Sequence, residues 1–142
     1  MLIAVISGFI FALVIPLIMG WLKPKSTIWA AILPLSIFGF FLSKLPLILA
    51  GETLKISYQW VPSIGVNLDF YLDGLSYLFV LLISGIGTLV FIYTSAYLKG
   101  HHYLDRFYGY LSMFMASMLG LVLSDNIYTL FIFWELTSIS SF

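Results

Sequence analysis

Glu135 is the one charged residue between Asn126 and Phe142. It is the tenth residue of that stretch, so on a helix rising 1.5 Å per residue it lies ~15 Å in, near the centre of ~30 Å of hydrocarbon. A carboxylate at that depth costs on the order of 2.5 kcal/mol or more, and ionisable groups within spans face a bundle interior and mark ion paths or proton relays. A group of this kind changes protonation when a cationic partner approaches or withdraws. No Lys or Arg of this chain lies at the same depth, so the expected partner is in sequence beyond Phe142 or in another subunit. The plainer reading is a structural Glu satisfied by a neighbouring hydroxyl or a buried Lys. Glu135 is followed within two turns by Thr137, Ser138, Ser140 and Ser141. Ser138, at i+3, shares a helical face with it. Thr137, Ser138 and Ser141 are the candidate proton-path hydroxyls, although each could simply bond back to its own helix.

Other chemistry is sparse. His101-His102 lies near Asp105, but adjacent histidines do not share a face and two ligands do not make a metal site. They read as loop residues, with proton collection at a channel mouth as the alternative. There is no Gly-rich phosphate loop, catalytic triad or haem-ligand pattern, so neither a cofactor nor a metal is expected.

The elements that must position Glu135 follow from composition. Of 142 residues, 62% are apolar and 8% charged, and six Lys and Arg balance six Asp and Glu. Mean hydropathy is +1.11. Soluble domains carry about 25% charged residues, so this chain cannot cover a surface facing water. The same figures exclude disorder. The missing basic surplus excludes a nucleic-acid partner, and zero cysteines exclude disulfide scaffolds and thiolate chemistry. An integral membrane protein remains.

Gaps between the charges give spans at about 2–22, 27–50, 74–98, 107–123 and 126–142. The first lacks a basic leader and a small-residue cleavage site near Gly20, so it reads as a retained span, with a cleaved signal peptide as the alternative. Lys23-Pro24-Lys25 closes it with a short turn. Lys44 and Pro46 interrupt the second, where Lys44 can snorkel to the headgroups. The fifth is short of the ~20 residues a crossing needs and lacks a stop signal; it reads as cut at Phe142, making the chain the N-terminal part of something longer. Between spans two and three, Leu54, Ile56, Tyr58 and Trp60 alternate with Lys55, Ser57 and Gln59. Beyond Pro62-Ser63-Ile64-Gly65, Val66, Leu68 and Phe70 alternate with Asn67, Asp69 and Tyr71. Period two on both sides of a turn predicts a β-hairpin over about 54–71, lying on the membrane surface because an open sheet edge cannot face lipid.

Asp73 suits the N-cap of the third span and Asp125 that of the fifth. Ser112, Ala116, Gly120 and Ser124 form a small-residue stripe, and Ser84, Gly85, Gly87 and Thr88 a patch, both suited to close helix contact. Met113, Met115 and Met118 read as lipid or core filler. Tyr93, Tyr97, Tyr103, Tyr108 and Tyr110 read as an interfacial aromatic belt. With the N-terminus outside, Lys23, Lys25, Lys99 and Arg106 fall inside, against Lys44 and Lys55 outside, the bias expected of a membrane protein. The fold expected is an all-α polytopic membrane protein of about five transmembrane helices, with a short extracytoplasmic β-hairpin between helices 2 and 3.

Certain segments carry a resemblance: Trp60-Val61-Pro62-Ser63-Ile64-Gly65, Tyr71-Leu72-Asp73-Gly74-Leu75-Ser76, Gly85-Ile86-Gly87, Tyr93 and Tyr97, and Leu123-Ser124-Asp125-Asn126 leading into Phe133-Trp134-Glu135-Leu136-Thr137-Ser138-Ile139-Ser140-Ser141-Phe142. In order and spacing they resemble the antiporter-like subunits of respiratory complex I and of Mrp-type multisubunit Na+/H+ antiporters. The tail after Trp134-Glu135 lacks the Gly-rich stretch and Ser-Tyr pair usual in the large complex I subunit, and is similar to the large A subunit of the Mrp type. The resemblance implies a protein of fourteen or more helices with two inverted five-helix repeats, the first beginning near the fourth span. It also implies a cell (inner) membrane location and partner membrane subunits, with Na+ and H+ as the ions moved. Glu135 matches the family's membrane-embedded glutamate, which works with a lysine on a later broken helix. The expectation is thus a subunit coupling Na+ extrusion to proton uptake. The alternatives are a proton-translocating subunit of complex I or a membrane-bound hydrogenase, and a non-transporting scaffold.

Overall fold

The computed structural model describes residues 1–22, 27–61, 66–98 and 104–141. The two turns at 23–25 and 62–65, His101-His102, Lys99, Tyr103 and the chain's last residue lie outside the described residues. Helix α1 (Leu2–Leu22) is followed by a 3-10 turn (Ile28–Ala31), α2 (Ile32–Leu42) and α3 (Leu45–Leu49). Strands β1 (Leu54–Val61) and β2 (Val66–Leu72) come next, then α4 (Gly74–Tyr97), α5 (Leu104–Leu123) and α6 (Ile127–Ser141). Helices at Leu2–Met19, Ile28–Leu49, Gly74–Tyr97 and Leu104–Leu123 are long and apolar enough to cross a membrane. Thus four rather than five elements meet that length among the described residues. The 15 residues of α6 rise only ~22 Å.

The second span is not one helix. Pro46 has no N–H to give and its ring clashes with the carbonyl four residues back. The α-helix therefore stops at Leu42, and Lys44 N donates to Phe41 O (2.9 Å), a tighter turn, before α3 begins. Lys44 Nζ lies 5.4 Å from the centre of the Phe40 ring. Gly51 then ends α3 at φ +79°. Its N–H donates to Ile48 O (3.0 Å) and that of Glu52 to Leu47 O (3.1 Å), a pair of bonds that needs a left-handed residue between them. This turn feeds β1.

β1 and β2 pair antiparallel, with Leu54 opposite Leu72, Ile56 opposite Phe70 and Tyr58 opposite Leu68. The apolar face lies where alternation predicts it: Val66, Phe70 and Leu72 are buried. Asp73 caps α4 as expected. Its carboxylate accepts from Ser76 N (2.8 Å), and its own N–H donates to Ser76 Oγ (2.8 Å). α5 begins three residues before the expected span, taking Asp105 and Arg106 into its first turn. An acidic residue is favoured there by the helix dipole.

Two buried clusters hold the helices. Val5, Phe41, Phe70, Leu72, Val80, Leu119 and Leu123 form one beneath the hairpin. Ile15, Ala30, Phe91 and Tyr108 form the other, towards the opposite end. Tyr108 is therefore not part of an aromatic belt. It is fully buried, and its hydroxyl donates to Phe91 O (3.2 Å) and receives the Thr27 hydroxyl (3.1 Å). A buried phenol with two partners stays inside, whereas Tyr93, Tyr97 and Tyr110 are exposed. The stripe on α5 does what its composition allows. Ser112 Oγ donates to Gly8 O (2.9 Å), and a Cβ on Gly8 would lie 2.7 Å from Ala116 Cβ. The α4 patch likewise admits Phe38 against Gly85 and Met115 against Gly87.

Tyr77 contrasts with Tyr108. Its hydroxyl is buried with no hydrogen-bond partner among the described residues, a state that costs about 1–3 kcal/mol. Tyr77→Phe is expected to leave the thermal unfolding midpoint of the full-length protein unchanged or raised. A clear fall would place a partner on that phenol.

Candidate functional site

The start of α6 is fixed by polar side chains that the sequence scatters over more than 50 positions. Asn126 is the N-cap: its side-chain oxygen accepts from Thr129 N (2.8 Å). Its amide group donates to Asn67 O (2.9 Å) and to the Asp69 carboxylate (2.6 Å), so every polar atom of that side chain is used. Thr129 is fully buried, its hydroxyl donating to Asn67 O and accepting from Asp69 N, both at 3.3 Å. Asp125 N donates to Asp69 O (2.9 Å), and Phe70 bridges Ser124. The Asp125 carboxylate, expected to cap α6, instead meets Lys55 Nζ at 2.5 Å. Cap choice follows reach. Asn126 immediately precedes the first helical residue, so Thr129 is the third and its N–H is the one such a cap satisfies.

Asp69 is the hub of this clamp. Hydrogen bonds from Ser57 and Asn126 hold its carboxyl below the usual value of 3.8. A carboxylate with a lowered native pKa contributes stability above its unfolded pKa, and that contribution is lost as pH falls through the native value. Hairpin docking is therefore expected to be insensitive to pH from neutrality down to about 4 and to loosen in stronger acid. Hydrogen exchange of the β2 amides across that range checks this, and Asp69→Asn should lose the acid transition.

From the clamp, α6 runs down α5. Phe133 is buried against Gly120, where an added Cβ would fall 2.6 Å from the ring's Cγ. Phe9 and Phe70 flank the ring at 6.4 and 6.1 Å between centroids. Thr129, Phe133 and Ser140 mark the buried face. Glu135 follows Phe133 by two residues, about 200° round the helix, and so points away from α5. It is exposed, as are Trp134, Ser138 and Ile139. Eight residues after the start of α6 it lies ~12 Å along the axis. It has no hydrogen-bond or ion-pair partner among the described residues.

The hydroxyls around it are turned to their own helix. Thr137 Oγ1 and Ser138 Oγ both donate to Trp134 O, at 2.6 and 3.3 Å, and Ser141 Oγ donates to Ser138 O (3.1 Å). Among the described residues no group of three His, Asp or Glu could hold a metal. Sequence reasoning singled out neither Thr129 nor Asn67. The Asn126–Thr129 spacing was the available signal for the cap, but the partners in the hairpin had none.

A family model described as NADH-ubiquinone oxidoreductase (complex I), chain 5 N-terminus, matches residues 60–108. The Na+/H+ antiporter subunit A1 of Staphylococcus haemolyticus is 49% identical over 141 residues, 99% of this chain. Over nearly its whole length the chain is similar to part of that antiporter subunit. The Na+/H+ antiporter subunit A1 of Staphylococcus aureus is 48% identical over the same length. The chain spans 18% of the length of these two curated relatives. A solved Mrp complex from Dietzia sp. matches with a TM-score of 0.70 and 31% identity, covering 97% of this chain and 15% of that one. The membrane-bound sulfane sulfur reductase, an archaeal respiratory membrane complex, shares the fold with a TM-score of 0.74 at 21% identity, covering 98% of this chain and 28% of that one. The spanning helices and these relatives together make this a multi-pass membrane protein.

Proposed function

We propose that this chain is the N-terminal part of a subunit of a multisubunit Na+/H+ antiporter, in which Glu135 is the protonatable transport group. It would sit in the cell membrane with its N-terminus and hairpin outside and with other membrane subunits as partners. The observation that carries the reading is the placement of Glu135. α6 is clamped at its start and wedged at Phe133, and it presents one carboxylate on the face turned away from α5. A carboxylate fixed there, with no cation among its described neighbours, is positioned to meet one supplied by another part of the full-length protein or by another subunit. Na+ leaving and H+ entering would then compete for that charge. The names of the staphylococcal relatives support Na+ and H+ as the ions. Thr137, Ser138 and Ser141 are proposed as proton-path hydroxyls, a role that requires them to turn from the carbonyls they now bond.

Everted vesicles carrying the complete protein in its complex test this. Adding Na+ should discharge an imposed proton gradient, and a gradient indifferent to Na+ would overturn the reading. A second reading is favoured by the complex I match and by the archaeal respiratory structure. It makes the chain a proton-translocating subunit of a redox complex, and predicts proton movement driven by an electron donor instead of Na+.

A further inference from the structure

A groove of about 390 Å³ runs between α1 and α5, away from the hairpin and on the other side of α5 from the α4 contact. Phe9, Leu13 and Pro16 form one wall and Gly109, Tyr110 and Met113 the other. From Phe9 to Pro16 on α1, and from Arg106 to Met113 on α5, the groove runs ~10 Å along each helix. The floor is closed at Gly109, where a Cβ would fall 3.1 Å from Ala12 O and 3.2 Å from Pro16 Cγ. Leu13 and Tyr110 are exposed at the rim, and the apolar surface continues over Ile10 and Leu17. Arg106 lines one end of the groove.

Arg106 is in the first turn of α5. A cation is disfavoured at that end of a helix, and an anion is favoured there by the dipole and the unbonded N–H groups. Asp105 lies on the same turn and meets part of that preference. An apolar trough between two spanning helices, ending in an arginine at a helix N-terminus, matches an amphiphile with an acyl chain and an anionic head. A guanidinium has five N–H donors, so Arg106 can keep a protein partner and still hold a phosphate.

We propose that this groove is a binding site for an anionic phospholipid, with an acyl chain along Leu13 and Met113 and the phosphate on Arg106. Basic pockets between spanning helices take such headgroups. The inference rests on the groove, Arg106 and a membrane setting, and stands whichever ion the protein moves.

The test uses the complete protein in its complex. A photoreactive benzoylphenylalanine at Leu13, activated in native membranes, should yield a phospholipid adduct by mass. Phosphatidylglycerol retained through purification, counted by native mass spectrometry, should fall about tenfold in Arg106→Gln, the loss of one charge-assisted contact. It should fall as far in Leu13→Trp, which fills the groove, and phosphatidylethanolamine should be unchanged in both. A peptide adduct at Leu13 would show that another helix occupies the groove. That result, or equal phosphatidylglycerol in wild type and Arg106→Gln, would overturn the proposal. The adduct is read with Arg106 in place, so it decides even if the Arg106 variant fails to assemble.

Discussion

Glu135→Gln in the full-length protein is expected to lower Na+-dependent proton flux in everted vesicles by ~100-fold or more, the scale of losing a positioned proton-transfer group, while assembly stays normal. The side chain points away from α5 and contributes no hydrogen bond or ion pair to the described fold. Gln has nearly the same shape, so packing gives no reason for loss. Flux that survives in a normally assembled complex would remove Glu135 from the mechanism. The neighbouring hydroxyls supply the contrast. Ser138 Oγ bonds at 3.3 Å to Trp134 O, so Ser138→Ala should change flux far less than Glu135→Gln unless that hydroxyl turns into the path. Thr137→Val and Ser141→Ala extend the same comparison.

The second large effect is expected at Gly120. A methyl there collides with Phe133, whose ring is packed between Phe9 and Phe70 and has no free direction in which to swing. Overpacking of this kind costs about 1–3 kcal/mol. Gly120→Ala should therefore lower the unfolding midpoint and, by tilting α6, reduce flux as well. Phe133→Leu in the same chain removes the ring edge and should recover part of both losses. Equal midpoints for Gly120→Ala and wild type would mean that α6 does not seat on α5 through this slot. The double variant separates a local clash from a general intolerance of substitution, because only the former is relieved by shrinking the opposing side chain.

Much of this fold could be read from the positions of the charges and the period of the apolar residues. The α1 and α4 spans, the hairpin alternation and the Asp73 cap depend on local rules, and each lies where those rules put it. The same rules misplaced what distant partners decide. Tyr108 has the composition of an interfacial aromatic, but Thr27 and Phe91 draw its hydroxyl inside. Asp125 looked like a cap, but Lys55, 70 positions earlier, claims its carboxylate. The distance of Glu135 along its helix was legible because helical rise is fixed. Its direction was not, because the hydrophobicity of α6 hardly differs from face to face. That direction follows from Phe133 and Gly120, a steric pair no periodicity reveals.

The clamp between hairpin and α6 also sets an order of assembly during synthesis. β1 and β2 leave the ribosome well before their partners, since the bonds from Asn67 and Asp69 reach Asn126 and Thr129, 57 to 62 positions later. Until α4 and α5 have been threaded through the bilayer and the next turn has followed, Asp69 Oδ2 and the carbonyl of Asn67 need water as their partner. The hairpin must therefore wait at the aqueous surface, and its capture by Asn126 and Thr129 can occur only after the fourth crossing has been made.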